Sequence, residues 1–242
     1  MARERRHRGL DPPVSGVQVF SAIVHLSITT AFYIFAGLSL PLPQASWVYI
    51  ISAPLQSAVI GLWLWLGLVD PGDEGGLRIR CSRGNGPITR YCPNCRKEVP
   101  VLDAIWSGSI FPFFPFLSFT PRLNTCIGRR NYAQFYLLTV AGLFLYALEA
   151  AVSILCAAAV LADESDLSGR LGSATNGRIA WGVLALFSFW IFSCFGALSA
   201  FHSYLILLGT GTYDWVVLQS DKRKLRRREQ QRRRSSRESA GL

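Results

Sequence analysis

RYCPNCRKEVPVLD (90–103), AIWSGSIFPFFPFLSFTPR (104–122) and LNTCIGRRNYAQF (123–135) form the stretch around which the chain is organised. Cys92 and Cys95 make a Cys-x2-Cys pair, a spacing that lets two thiolates bind one zinc ion from a tight turn. Cys126 follows in the third part. We therefore interpret the first and third parts as two flanks of one site, separated by residues 104–122.

Long apolar runs lie on both sides of this stretch. The chain has 242 residues, 50% of them hydrophobic, and its apolar residues fall into runs at about 17–40, 47–69, 133–161 and 179–208. A bilayer-spanning helix needs about 20 predominantly apolar residues, and the first run is too long for the apolar part of a signal peptide. The sequence predicts an all-α polytopic membrane protein with four transmembrane helices and a cysteine-rich loop between helices 2 and 3.

Charge predicts the orientation of these helices. The net charge is +10, and the basic residues crowd segments 1–16, 70–132 and 209–242, whereas the 162–176 loop is acidic. Basic residues flank membrane spans on the cytosolic side, so both termini and the cysteine-rich loop are predicted to be cytosolic. Anionic lipid explains this charge better than nucleic acid does, and no nucleic-acid partner is expected. In the reducing cytosol the cysteine spacing favours a metal over a disulfide.

Several motifs resemble the DHHC protein S-acyltransferases (palmitoyltransferases). In a short-form member of that family, VPVLD would continue into His-His-Cys and then LNTCIGRRNY, so Asp103 matches the Asp of the motif. Further family matches support the resemblance: Asp70, Pro71 and Gly72 after the second span, Asn124, Gly128 and Asn131 around Cys126, and a degraded TTxE element in which Thr212 matches the second Thr and Asp214 replaces the Glu.

The resemblance implies acyl transfer from palmitoyl-CoA, through an acyl-cysteine on the enzyme, to a Cys of a cytosolic or membrane protein substrate. It makes Cys92, Cys95 and Cys126 zinc ligands and Asp103 the carboxylate that orients a catalytic His. Ala104, Ile105 and Trp106 occupy the places of His, His and Cys, so base and nucleophile are missing and the chain is predicted to be inactive as written. The alternative is a non-catalytic pseudoenzyme that binds acyltransferase clients. The family resides in endomembranes (ER or Golgi) or the plasma membrane.

Two interpretations of residues 104–122 stay open. Phe111 to Phe119 reads FPFFPFLSF, and the codons of these residues are rich in pyrimidines, as in the tract that precedes a 3′ splice site. The segment is then intron sequence admitted by an unusual transcript or a faulty gene boundary. Alternatively, it is a genuine segment lying on the bilayer with its aromatic side chains at headgroup depth.

Polar residues inside the spans are the remaining candidates. His25 is either functional or a hydrogen-bonded histidine inside the bundle, and Glu149 is expected to face the bundle or a cavity because a carboxylate at membrane depth is costly. Whether Glu149 is structural or functional stays open. Small residues in the last span, Ser188, Ser193, Gly196 and Ser199, predict close helix packing. His202 and Ser203 are interpreted as polar anchors near the end of that span.

Overall fold

The computed structural model describes residues 10, 14–69, 89–91, 98–100, 131–161, 173–209, 226 and 229–231. Its elements are α1 (Gly16–Ser39), α2 (Leu42–Leu68), β1 (Thr89–Tyr91), β2 (Glu98–Pro100), α3 (Tyr132–Ala157) and α4 (Ala174–Leu207). Within these described residues, four helices are long and apolar enough to cross a membrane. The predicted fold class, an all-α polytopic membrane protein, is confirmed, and two short strands are added to it.

Local chemistry sets the helix ends. Ser15 caps α1, because its hydroxyl accepts a hydrogen bond from the Gln18 backbone N–H at 3.1 Å. Leu40 is extended, as expected for a residue that precedes a proline, and α1 stops there. The residues between the first two apolar runs, Pro41 to Ser46, are predicted to form a short turn, and this prediction is wrong: α2 begins at Leu42, with Pro43 in its first turn, a position where the missing proline N–H costs nothing.

The other two predicted spans also differ from the helices at one end. The third helix ends at Ala157 rather than near 161, and Ala159 adopts a left-handed backbone with φ of 55°, which cannot continue an α-helix. The fourth helix starts at Ala174, several residues before the predicted start, because its first turn is polar and gave no hydropathy signal. The connecting residues 162–172 lie outside the described part.

Side-chain pairs between helices define an up-down-up-down arrangement. Tyr49 of α2 donates its hydroxyl to the Tyr33 carbonyl of α1 at 2.9 Å, and the two rings stack. A Cβ on Gly37 would lie 2.7 Å from the Tyr49 hydroxyl, so a larger residue there would displace the hydroxyl that bonds to Tyr33. Between α4 and α1, Trp181 donates its indole N–H to the Ser39 hydroxyl at 2.9 Å.

Helix α3 lies deepest in the bundle. It has the largest buried share of the four apolar windows, 44%. A Cβ on Gly142 would lie 2.4 Å from the Phe195 ring of α4, so these two helices approach closely at that glycine. Ser188 and Ser199 of α4 are buried as predicted for packing, whereas Ser193 is exposed and donates to the Phe189 carbonyl of its own helix.

In this arrangement, one end of each of the four helices lies at the same side of the bundle. The α1 start, the α2 end, the α3 start and the α4 end share that side, because successive helices alternate in direction. Leu10 confirms the proximity of two of them, since its backbone N–H donates to the Gly67 carbonyl near the end of α2 at 3.1 Å. The cysteine-rich connection therefore leaves and re-enters the bundle at the side where α1 begins and α4 ends; we call it the loop side.

Candidate functional site

An apolar cavity of about 570 Å³ opens between the four helices. Its walls come from residues 20–28 of α1, from Val59, Ile60, Trp63 and Leu64 of α2, from Leu138 and Tyr146 of α3, and from Phe187, Trp190, Ile191, Cys194 and Phe195 of α4. Ligand cavities in proteins usually measure about 300–1,000 Å³ and are mostly apolar with few polar groups. Both size and lining thus match a site for an extended apolar ligand.

The cavity lies toward the loop side. Its α1 wall starts at Phe20, about one turn after the start of that helix, and its α2 wall reaches Leu64, about one turn before the end of that helix. Several wall residues, including Phe20, Ile23 and Trp190, are also partly exposed on the outside of the bundle. The cavity is therefore partly lined by side chains that also face the outside of the bundle.

A hydrogen-bonded histidine forms the polar part of the cavity wall. The Gln56 amide nitrogen lies 3.0 Å from His25 Nε2, and His25 Nδ1 is bonded to the Tyr146 hydroxyl. With the amide nitrogen donating, Nε2 accepts and the Nδ1 hydrogen is donated to Tyr146. Both ring nitrogens are paired, so His25 matches the second of the two interpretations from the sequence, a hydrogen-bonded histidine inside the bundle. The trio joins α1, α2 and α3 beside the cavity.

A second polar group joins α3 to α4 at the loop side. Tyr132 Oη and His202 Nδ1 lie 3.0 Å apart, and the Tyr136 and Ser203 hydroxyls lie 2.8 Å apart. Asn131, a family-motif residue in the sequence, is fully buried just before α3, and its carbonyl accepts from the Phe135 N–H at 3.0 Å. His202 and Ser203 are thus polar anchors, as predicted, but they bind α3 rather than the bilayer surface. This group fixes the point where the cysteine-rich connection re-enters the bundle.

Within that connection the structure describes a two-stranded antiparallel pair. Thr89 pairs with Pro100 and Tyr91 with Glu98, so the Cys92–Cys95 motif falls between two paired strands in the sequence. The other predicted site residues lie outside the described residues: Cys92, Cys95, Asp103, Cys126, Asp70, Pro71, Gly72, Asn124, Gly128, Thr212 and Asp214. Among the described residues, no group of three or more His, Cys, Asp or Glu is placed to hold a metal ion.

Sequence reasoning did not find the cavity. Its walls consist of Phe, Ile, Leu and Trp side chains whose spacing is the same as that of lipid-facing residues elsewhere in the spans. Gln56 was also missed, although an amide inside a membrane span is a signal for an interhelical hydrogen bond. The cavity is a product of how the helices separate beside His25, and hydropathy carries no information about that separation.

Fold and cavity together define a class: a four-helix membrane protein with an apolar cavity beside a cysteine-rich connection on one side of the bundle. The DHHC palmitoyltransferase family model matches residues 119–219. A protein described as "Probable protein S-acyltransferase 20" from Arabidopsis thaliana is 37% identical over 102 residues, which cover 39% of this chain and 14% of the relative. These matches agree with the resemblance found in the sequence: over residues 119–219 the chain is similar to the DHHC palmitoyltransferases, and it spans about one seventh of the length of the Arabidopsis relative.

Proposed function

We propose that this membrane protein binds the acyl chain of palmitoyl-CoA between its helices and, as written, does not form the acyl-cysteine of its family. The observation that carries the proposal is the apolar cavity of about 570 Å³ on the loop side of the bundle. Its volume suits a long acyl chain, and its position suits a thioester at the membrane surface beside the cysteine-rich connection.

Shape complementarity rather than hydrophobicity must hold the acyl chain in the cavity. Lipid tails are as apolar as the cavity walls, so a chain gains little from leaving the bilayer unless the walls fit it closely. Rigid aromatic side chains supply such walls, and Phe195, stacked on Tyr146 at a ring-centroid distance of 5.7 Å, is one of them. Binding is therefore expected to be sensitive to side-chain volume at the wall.

The proposed loss of transfer rests on the sequence of the connection. The family reaction needs a thiolate that attacks the thioester and a base that takes the thiol proton. Asp103 supplies only the orienting carboxylate, and Ala104, Ile105 and Trp106 stand where the family has His, His and Cys. No histidine occurs between His25 and His202, and both of these are engaged inside the bundle.

A structural zinc ion belongs to the same proposal. Structural zinc takes four ligands in a tetrahedron, and thiolates are its usual partners. Cys92 and Cys95 follow and precede paired strands in the chain, which suits a two-thiolate turn, and Cys126 supplies a third thiolate. The donor set fits zinc in chemistry but lacks an identified fourth ligand. When bound, zinc would hold the connection folded and would not take part in acyl transfer.

Orientation and partners follow from the charge pattern and the family. Basic segments 1–16, 70–132 and 209–242 support a cytosolic location for both termini and the connection. Palmitoyl-CoA and proteins with accessible cysteines are the proposed partners, in an endomembrane (ER or Golgi) or the plasma membrane. The alternative proposal, a non-catalytic scaffold for acyltransferase clients, shares the missing nucleophile and differs in requiring that the gene encodes residues 104–122 as genuine protein.

A matched pair of substitutions tests acyl-chain binding. Cys194 lines the cavity, whereas the neighbouring Ser193 is exposed and does not line it. In the purified full chain, Cys194→Phe should reduce crosslinking to a photoactivatable palmitoyl-CoA analogue severalfold, because the ring fills the cavity, and Ser193→Phe should not. Equal crosslinking of both variants, or none to the unchanged protein, would overturn the proposal.

A further inference from the structure

A layer of buried oxygen atoms crosses the bundle beyond the cavity. Glu149 of α3 is fully buried; Thr29 Oγ1 of α1 lies 3.4 Å from its Oε1, and Ser188 Oγ of α4 lies 3.5 Å from its Oε2. Ser153 follows Glu149 by one helical turn, on the same face of α3, and it is also fully buried.

Ser52 of α2 belongs to the same layer. Tyr49 of α2 bonds to Tyr33 of α1, and Gln56 of α2 bonds to His25 of α1. Ser52 lies between Tyr49 and Gln56 in α2, and Thr29 lies between His25 and Tyr33 in α1. Antiparallel register therefore brings Ser52 to the level of Thr29, and its side chain is fully buried. Every helix contributes one hydroxyl to the layer: Thr29, Ser52, Ser153 and Ser188.

The layer has unsatisfied oxygen atoms and no positive side chain. Among the described residues, the hydroxyls of Ser52 and Ser153 have no hydrogen-bond partner, although a buried polar atom without one is costly. Within the four helices the sequence has no Lys, and its one Arg, Arg178, lies near the start of α4, about three turns before Ser188. A carboxyl group so deep in a membrane is costly as a bare anion, so it is either protonated or paired with a cation.

The oxygen–oxygen distances around Glu149 are longer than those of ordinary hydrogen bonds. Direct O–H···O hydrogen bonds measure about 2.5–3.0 Å, whereas the two distances to Glu149 are 3.4 and 3.5 Å. Adjacent oxygen ligands of an ion bound at about 2.3–2.6 Å lie about 3.3–3.7 Å apart, and those of magnesium, bound at about 2.0–2.1 Å, lie about 2.9 Å apart. The spacing thus suits an ion of calcium's size.

We propose that Glu149, together with the hydroxyls of Thr29, Ser188, Ser52 and Ser153, forms a sodium-binding site inside the bundle. Sodium is close to calcium in size, its preferred ligands are oxygen atoms, and its single charge balances one carboxylate. The site is separate from the three-thiolate set of the cysteine-rich connection, because hydroxyl and carboxylate oxygens are poor ligands for a soft metal ion. It connects all four helices behind the cavity, so sodium stabilises the folded bundle.

Thermal unfolding of the purified full chain in detergent tests the site. Tryptophan fluorescence is followed while sodium chloride replaces choline chloride at constant ionic strength, with potassium chloride as a further arm. Tm should rise saturably with sodium, by about 3–6 °C at a concentration tenfold above Kd, and much less with potassium. A Tm that does not respond to sodium in the unchanged protein overturns the proposal.

Variants assign the effect to the layer. Glu149→Gln should abolish the sodium response, and Thr29→Val should shift its midpoint severalfold higher, whereas Thr30→Val, at the exposed neighbouring position, should leave it unchanged. If Glu149→Gln does not fold, the two threonine variants still decide the matter. A sodium response retained in Glu149→Gln, or equal in both threonine variants, contradicts the site. A Glu149→Gln protein as stable as the unchanged chain in every salt would mean that the carboxyl is simply protonated.

Discussion

Replacing Gly142 by alanine tests the closest helix contact in the bundle. The added Cβ would lie 2.4 Å from Phe195 Cε1 and 2.7 Å from Cδ1 and Cζ, whereas non-bonded carbons prefer about 3.5–4.0 Å. The Phe195 ring must therefore move by about 1 Å or more. It cannot do so freely, because it stacks on Tyr146 with an interplanar angle of 21°. Forced overpacking of this kind costs about 1–3 kcal/mol.

Gly61→Ala is the matched control. Gly61 also lies in a helix, and a Cβ there would meet nothing within 4 Å. Both substitutions remove the same conformational freedom of glycine, so their difference isolates the steric cost. Reversible unfolding in mixed micelles should show Gly142→Ala to be less stable than Gly61→Ala by about 1–3 kcal/mol. Equal stabilities would refute the close α3–α4 approach on which the cavity geometry depends.

Three further predictions concern packing, orientation and the gene. Ser39→Ala should lower the free energy of unfolding by about 1 kcal/mol, because the Trp181 indole N–H loses its partner, whereas Ser46→Ala, at an exposed hydroxyl bonded within its own helix, should cost less in the same unfolding assay. An impermeant thiol reagent should label Cys92 from the cytosolic side only, and labelling from the lumenal side would refute the proposed orientation. Sequencing the locus and its cDNA should reveal codons for His-His-Cys near those for residues 104–122; their absence would make the chain a true pseudoenzyme.

The membrane helices could be predicted because bilayer thickness imposes a length on apolar runs. Their ends could not be placed equally well. Pro43 suggests a turn when the sequence is considered alone, yet it lies in the first turn of α2. Glu149 could be predicted to face inward, since a lipid-facing carboxylate is too costly, and it is fully buried. Its partners on α1 and α4 could not be predicted, because they depend on helix register between segments far apart in the chain.

For the cysteine-rich connection, the sequence is more informative than the structure. Its motifs carry the family resemblance in the sequence, whereas the structure describes only the strand pair at 89–91 and 98–100 and, beyond it, the buried Asn131 before α3. The cavity, in contrast, has no motif. It depends on bulky side chains such as Phe187 and Trp190, whose lipid-facing counterparts look identical in the sequence.

We propose that the chain binds an acyl chain in its cavity and lacks the nucleophile of the family. The most direct test incubates the purified full chain with a palmitoyl-CoA analogue that carries both a diazirine and an alkyne. We expect ultraviolet-dependent labelling that resists hydroxylamine and maps to cavity-lining peptides, with no hydroxylamine-sensitive label on Cys92, Cys95 or Cys126 before irradiation. A thioester label that forms in the dark and disappears in Cys126→Ala, with the fold intact, would contradict it.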